Sequence, residues 1–260
     1  MIDSELVARI TNHLCRAIET AQQSDEPFQH FFVENILPGD VYAHLLGNFP
    51  GQASYFPLNP KRWKNKDGVS TRDQLSLSTD AIERIDANRL DFWKSLTKAL
   101  MSHAFQQAVF ARLKRDVSLR FKCAESEVLS KPAYPSVMLI RDIDDYRIKP
   151  HPDGQPRVVT MQLYLPEPGT RDDLGTSLYR KAGAVERLTN GKFVELKRFP
   201  FLPNSCYAIA INDEGERHSY HGRELIEGQG TVRNSIIITW LSRPELSNTK
   251  YADRAGAQPA

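Results

Sequence analysis

The stretch Arg157-Val-Val-Thr-Met-Gln-Leu-Tyr-Leu165 is β-branched, aromatic and two-faced. Period two sets Thr160, Gln162 and Tyr164 on one side and Met161, Leu163 and Leu165 on the other, as in a strand between an apolar layer and a polar cavity. Four further segments share this texture: Val137–Ile140, Phe193–Lys197, Ser205–Ile211 and Asn234–Leu241. All are bounded by turn residues, as strands are. Strands that follow one another without intervening helices predict an antiparallel sandwich or barrel, not a parallel α/β sheet.

Toward the N-terminus the texture changes. Val7, Ile10, Leu14 and Ile18 recur at helical spacing from a cap near Asp3–Ser4. A short helix is expected after Leu37-Pro-Gly-Asp40, and the longest periodic run lies between Thr79 and Leu113. The expected fold is therefore α+β with a mainly β core. A single unit spans 1–260: mostly helical support over 1–128, the β core over 129–242, and a frayed polar tail over 243–260.

Composition narrows the function classes. Charged residues make up 25% and hydrophobic ones 40%, within the range of globular proteins. The net charge of +2 gives no strong field toward nucleic acid or an anionic membrane. The basic cluster Lys61–Lys66 reads as a solvated loop that can also line a site mouth. Cys15, Cys123 and Cys206 are too few and too scattered for a disulfide framework, so free thiols in a reducing, cytoplasmic setting are expected. No apolar run approaches the roughly 18 residues of a membrane span.

Chemistry concentrates at Tyr146-Arg-Ile-Lys-Pro-His151-Pro-Asp153. On extended backbone, residues two apart share a face, so His151 and Asp153 can meet one cation. A third ligand comes from Arg217-His-Ser-Tyr-His221-Gly222, where extended backbone turns His218 and His221 to opposite faces. His221 is favoured, because Gly222 permits close backbone approach beside a crowded site. Arg233 heads an otherwise apolar strand, with Ser235, Ile237 and Thr239 on its face, and a buried guanidinium there requires an anion. Two histidines and one carboxylate take one face of an octahedral ion and leave three positions open, the arrangement of non-haem Fe(II) oxygenases.

The order and spacing of these residues, across about 130–242, resemble the 2-oxoglutarate/Fe(II)-dependent dioxygenases. Phe31-Phe-Val-Glu-Asn-Ile-Leu-Pro38 resembles the opening segment of their prolyl-hydroxylase-like branch. The resemblance implies a double-stranded β-helix (jelly roll) with His151, Asp153 and His221 as iron ligands. It implies that Arg233, with Ser235 of an Arg-x-Ser pattern and Tyr164, holds the distal carboxylate of 2-oxoglutarate. Leu174-Gly-Thr-Ser-Leu-Tyr179 resembles the family's glycine-containing segment, with one glycine where many members have two. The implied cofactors are Fe(II), 2-oxoglutarate and O2, with ascorbate as an accessory reductant. The implied reaction hydroxylates an unactivated C–H bond of a small polar molecule and releases succinate and CO2.

Thr239 stands where nucleobase-demethylating members carry a second arginine, which argues against nucleic acid as partner. Asp153 is intact, unlike the small residue of halogenating members. A hydroxylase of protein residues, a cupin-like metalloenzyme without 2-oxoglutarate and a non-catalytic module with this fold stay open beside the main reading. Arg141, Tyr146, Arg147 and Arg157 are further candidates to meet a polar substrate. The oligomeric state is not legible in the sequence.

Overall fold

The computed structural model describes residues 1–58, 63–187, 191–213, 217–226 and 231–244. Helix α1 (Ser4–Glu19) begins where the Asp3 carboxylate accepts from the backbone N–H groups of Glu5 and Leu6, both at 3.0 Å. This satisfies donors that the first turn leaves unpaired. Its buried face is Ile10, Leu14 and Ile18. Helix α2 (Gly39–Gly47) follows the Leu37-Pro38 turn. The periodic run after Thr79 resolves into α3 (Thr79–Ile82), α4 (Ala87–Leu100) and α5 (His103–Arg112), and α6 (Lys114–Phe121) extends it.

The first third is less helical than expected. It also contains β1 (Gln22–Ser24), β2 (His30–Glu34), β3 (Phe56–Pro57) and β4 (Arg72–Ser76). None exceeds five residues, too short for alternation to stand out, and tertiary pairing supplies what local propensity does not. The remaining strands are β5 (Tyr134–Ile143), β6 (Ile148–His151), β7 (Arg157–Tyr164), β8 (Ser177–Lys181), β9 (Phe193–Arg198), β10 (Ser205–Ala210), β11 (His221–Arg223) and β12 (Val232–Leu241).

These strands form two sheets, an eight-stranded one in the order β1-β2-β10-β7-β12-β5-β4-β3 and a four-stranded one in the order β6-β11-β8-β9. Counted from β5 to β12, the first, eighth, third and sixth strands are neighbours in the large sheet. The second, seventh, fourth and fifth make the small one. Every pairing is antiparallel. This interleaving of eight strands between two sheets is a jelly roll, the double-stranded β-helix.

The two faces of the large sheet follow the alternation in the sequence. Met161, Leu163 and Leu165 of the β7 stretch and Ile236, Ile238 and Trp240 of β12 join Ile10, Leu14, Leu96 and Phe105 in one core beneath the helices. Trp240 meets the rings of Phe105 and Phe110 with centroids 5.9 and 6.0 Å away. The opposite face turns toward the small sheet. There Phe28, Tyr164, Leu178, Phe199, Phe201 and Tyr207 form a second apolar cluster. Cys15, Cys123 and Cys206 are free thiols. The expected tail lies outside the described residues from 245 onward, as do Lys61 and Arg62 of the basic cluster.

Candidate metal centre and its cavity

His151 ends β6 and His221 opens β11, and the two residues are paired across the small sheet. Their rings lie 4.7 Å apart between centroids. Asp153 follows β6 on the same side. Its Oδ1 is 3.7 Å from His151 Nε2 and its Oδ2 is 3.7 Å from His221 Nε2. The donor atoms of the three residues lie within 4.8 Å of one another, and they are the metal-competent cluster found among the described residues. Gly222 is what lets β6 and β11 approach: a Cβ there would stand 2.8 Å from the Ile148 carbonyl oxygen and 3.1 Å from Pro150 N.

The hydrogen bonds behind the cluster orient its rings. His151 Nδ1 lies 3.0 Å from the Lys149 carbonyl and His221 Nδ1 lies 2.9 Å from the Ser219 carbonyl. A carbonyl only accepts, so both Nδ1 atoms carry a proton, and both Nε2 atoms are turned toward Asp153. Burial pushes the His221 imidazole below its ordinary value and keeps it neutral. Burial alone would raise the Asp153 carboxyl, but His151, His221 and Arg157 around it hold it well below the usual carboxylate range. Thr160 Oγ1 donates to its Oδ2 at 3.1 Å, and the Arg157 guanidinium is 3.6 Å from Oδ1. Two imidazoles presenting Nε2 and one carboxylate, aimed at a common point with their outer bonds satisfied, fit a facially bound divalent iron. His218 stands apart, stacked on Tyr220 at 5.2 Å.

The cluster opens into a cavity of about 500 Å³ between the two sheets, a size suited to small molecules. Met138, Ile140 and Ile237 form its apolar wall, and Tyr146 and Trp63 face each other near one side with centroids 5.4 Å apart. Of the other residues named as substrate contacts, Arg157 lines the cavity. Arg141 instead lies over the Tyr55 ring, 5.4 Å from its centroid, and Arg147 is exposed.

The far end of the cavity is rich in arginine. Arg233 is 2% exposed. Its Nε donates to the Leu174 carbonyl at 2.7 Å and its Nη1 to Asp142 Oδ2 at 2.8 Å. Its Nη2 lies 3.3 Å from both Gln162 Oε1 and Thr176 Oγ1. The anion demanded by its place in an apolar strand is thus present in the chain itself: Asp142, its register partner on β5. Arg72 reaches the same carboxylate with Nε at 3.3 Å and lies over the Tyr146 ring. Arg223, on the face of β11 that carries His221, also lines this end. Burial, then the charges of Arg233 and Arg198, lower its guanidinium to about 10.

Ser235 and Tyr164 sit differently from expectation. Both are fully buried and neither lines the cavity. Ser235 Oγ accepts from Gln162 Nε2 at 2.8 Å, and the Tyr164 hydroxyl accepts from the Thr176 backbone N–H at 2.9 Å. They hold the residues that face the cavity, because the packing that brings β7 and β12 together also covers them. Asp142, Arg72 and Arg223 were not singled out in the sequence. Arg223 had a signal, since period two from His221 puts it on the same face; Asp142 had a weaker one, an acid inside an apolar strand.

No protein-family model and no curated protein matches the chain. Among solved structures it is similar to a prolyl-4-hydroxylase from Pseudomonas putida, at 13% identity over 90% of this chain and 100% of that one, with a TM-score of 0.48. It is similar to dioxygenase for auxin oxidation 1 from Arabidopsis thaliana in its binary complex with 2-oxoglutarate, at 12% identity over 95% and 82% of the two chains, TM-score 0.44. It is similar to SnoK, a non-haem alpha-ketoglutarate-dependent carbocyclase from nogalamycin biosynthesis, at 10% identity over 90% and 85%, TM-score 0.46. These likenesses are distant. The fold stands on its own strand order. Among the described residues no helix is long and apolar enough to cross a membrane.

Proposed function

We propose that the protein is a 2-oxoglutarate- and Fe(II)-dependent dioxygenase that hydroxylates an unactivated C–H bond of a small polar molecule, such as an amino acid or a natural-product intermediate. The observation that carries this reading is the convergence of His151 Nε2, His221 Nε2 and the Asp153 carboxylate at the wall of a cavity between the sheets. When bound, iron and 2-oxoglutarate would supply oxidative decarboxylation to succinate and CO2, with one atom of O2 entering the C–H bond.

The chain's own part is binding, orientation and exclusion of water. His151, Asp153 and His221 take one face of the ion and leave the other face to ligands. Thr160 and Arg157 keep the carboxylate ionised and oriented, as outer hydrogen bonds do at metal sites. Met138, Ile140 and Ile237 keep the space beside the metal apolar, which strengthens charge interactions inside. Arg233, supported from behind by Ser235 and Tyr164, shapes a positive closed end suited to the distal carboxylate of the co-substrate. The size of the cavity favours a small-molecule partner over nucleic acid, and ascorbate would serve as reductant in uncoupled turnover. The three free thiols favour a reducing compartment, the cytoplasm, within a single unit of 1–260.

The test is succinate release from 2-oxoglutarate by the Fe(II)-loaded protein across panels of metabolites and peptides, with mass spectrometry of each candidate product. A small molecule that gains one oxygen atom in step with succinate is expected. Gain of oxygen only on peptides would move the reading to a protein hydroxylase. Iron binding without 2-oxoglutarate binding would overturn it in favour of a metalloenzyme of another kind.

A further inference from the structure

Arg223 is 5% exposed and lines the cavity, and its guanidinium makes no hydrogen bond or ion pair among the described residues. Its Nε is buried without a partner. An isolated buried cation is expensive, and such groups are normally paired. Its surroundings add to the cost, because Arg72 and Arg233 line the same cavity and already divide its buried carboxylate, Asp142, between them. Arg233, by contrast, has all three guanidinium nitrogens bonded to the chain. The two arginines therefore differ in kind: Arg233 is a fixed part of the floor, and Arg223 is an unanswered donor facing open volume.

We propose that Arg223 is the carboxylate-binding residue of this cavity, receiving an acid group that reaches the closed end while the rest of the ligand lies toward His151, Asp153 and His221. This rests on the dioxygenase reading only for one of two sources of that acid group, the distal carboxylate of 2-oxoglutarate. The other source is an acid group on the oxidised substrate. In either case the guanidinium offers its Nη atoms as a fork, and the charge it meets removes the penalty of its burial.

The test uses the full chain loaded with Mn(II), a redox-stable stand-in for iron, in calorimetric titrations and thermal melts. Three probes are compared: 2-oxoglutarate, 2-oxobutyrate, which keeps the chelating end but lacks the distal carboxylate, and benzoate added to protein already saturated with 2-oxoglutarate. If the acid group belongs to the co-substrate, Arg223→Gln weakens 2-oxoglutarate at least about tenfold, leaves 2-oxobutyrate unchanged, and Arg223→Lys recovers part of the loss. If it belongs to the substrate, 2-oxoglutarate is unaffected and the binding of benzoate is lost. The ligand-free melt is the control for a structural role: Arg223→Gln should leave the midpoint unchanged or raise it, since an uncompensated charge is removed. A ligand-free midpoint lowered as much as in Arg233→Gln, or affinities for all three probes untouched by Arg223→Gln, overturns the proposal. Wild-type protein that ignores 2-oxoglutarate but binds benzoate through Arg223 would sink the dioxygenase reading and keep the carboxylate site.

Discussion

At the scale of single residues, the metal centre discriminates between two histidines three apart. His221 points its Nε2 at Asp153, whereas His218 stacks on Tyr220. His221→Ala should weaken Mn(II) binding by more than about 100-fold, since losing a ligand costs more than losing an outer partner; His218→Ala should leave it unchanged. Calorimetry of the two variants decides the assignment. The Arg233–Asp142 pair allows a second forecast. Both side chains are at most 2% exposed, and removing one partner of such a pair typically costs about 3–5 kcal/mol. Arg233→Gln should therefore lower the denaturant-unfolding free energy by that order even without ligand.

His30 allows a third. Its Nδ1–H donates to the Phe28 carbonyl, and its Nε2 faces Lys197 Nζ at 3.3 Å. Burial, and then the charge of Lys197, lower the imidazole's affinity for a proton. A histidine whose folded value lies below its unfolded one binds more protons when unfolded. Stability is thus full above about pH 6.5 and is lost as pH falls from there through the folded value. Melting midpoints of the wild type and His30→Phe between pH 7.5 and 5 should show a shallower acid decline in the variant.

At the scale of elements, β6 and β11 carry the ligands and depend on Gly222. Its added Cβ would meet backbone atoms of Ile148 and Pro150, which cannot swing aside as a side chain can. Gly222→Ala should cost about 1–3 kcal/mol, the range for overpacking, and weaken metal binding because His151 and His221 shift with their strands. Parallel melts and Mn(II) titrations measure both effects. The same elements mark where sequence reading stops. In β7 and β12, eight and ten residues long, alternation separated the two faces, with Gln162 facing in and Trp240 facing the helices, but did not show which inward residues line the cavity: Tyr164 and Ser235 are covered. The three-residue β11 and four-residue β6 are too short to show a period, so only their ligand spacing revealed them. Asp142 and Arg72 escaped notice for a different reason: their roles come from cross-strand register, with Arg72, Asp142 and Arg233 side by side on β4, β5 and β12, and no single segment records that adjacency.

At the scale of the molecule, the two sheets are unequally supported. The large sheet is pressed against α1, α4 and α5 through a continuous apolar layer, to which, among the described residues, the small sheet contributes none. The small sheet nevertheless supplies His151, His221 and Arg223, while Asp142, Gln162 and Arg233 belong to the large one. A ligand bound between them joins the weakly held half to the braced half. Local opening follows local packing, with thinly covered strands opening at lower free energy than the global transition. Occupancy should therefore act as a fastener on one half of the molecule. Amide hydrogen exchange in β6, β8 and β11 should slow by an order of magnitude or more on adding Mn(II) with 2-oxoglutarate, while amides of α1 and β12 keep their rates. Uniform slowing across both sheets would mean that the halves open together, and that the helices brace the whole barrel rather than one wall of it.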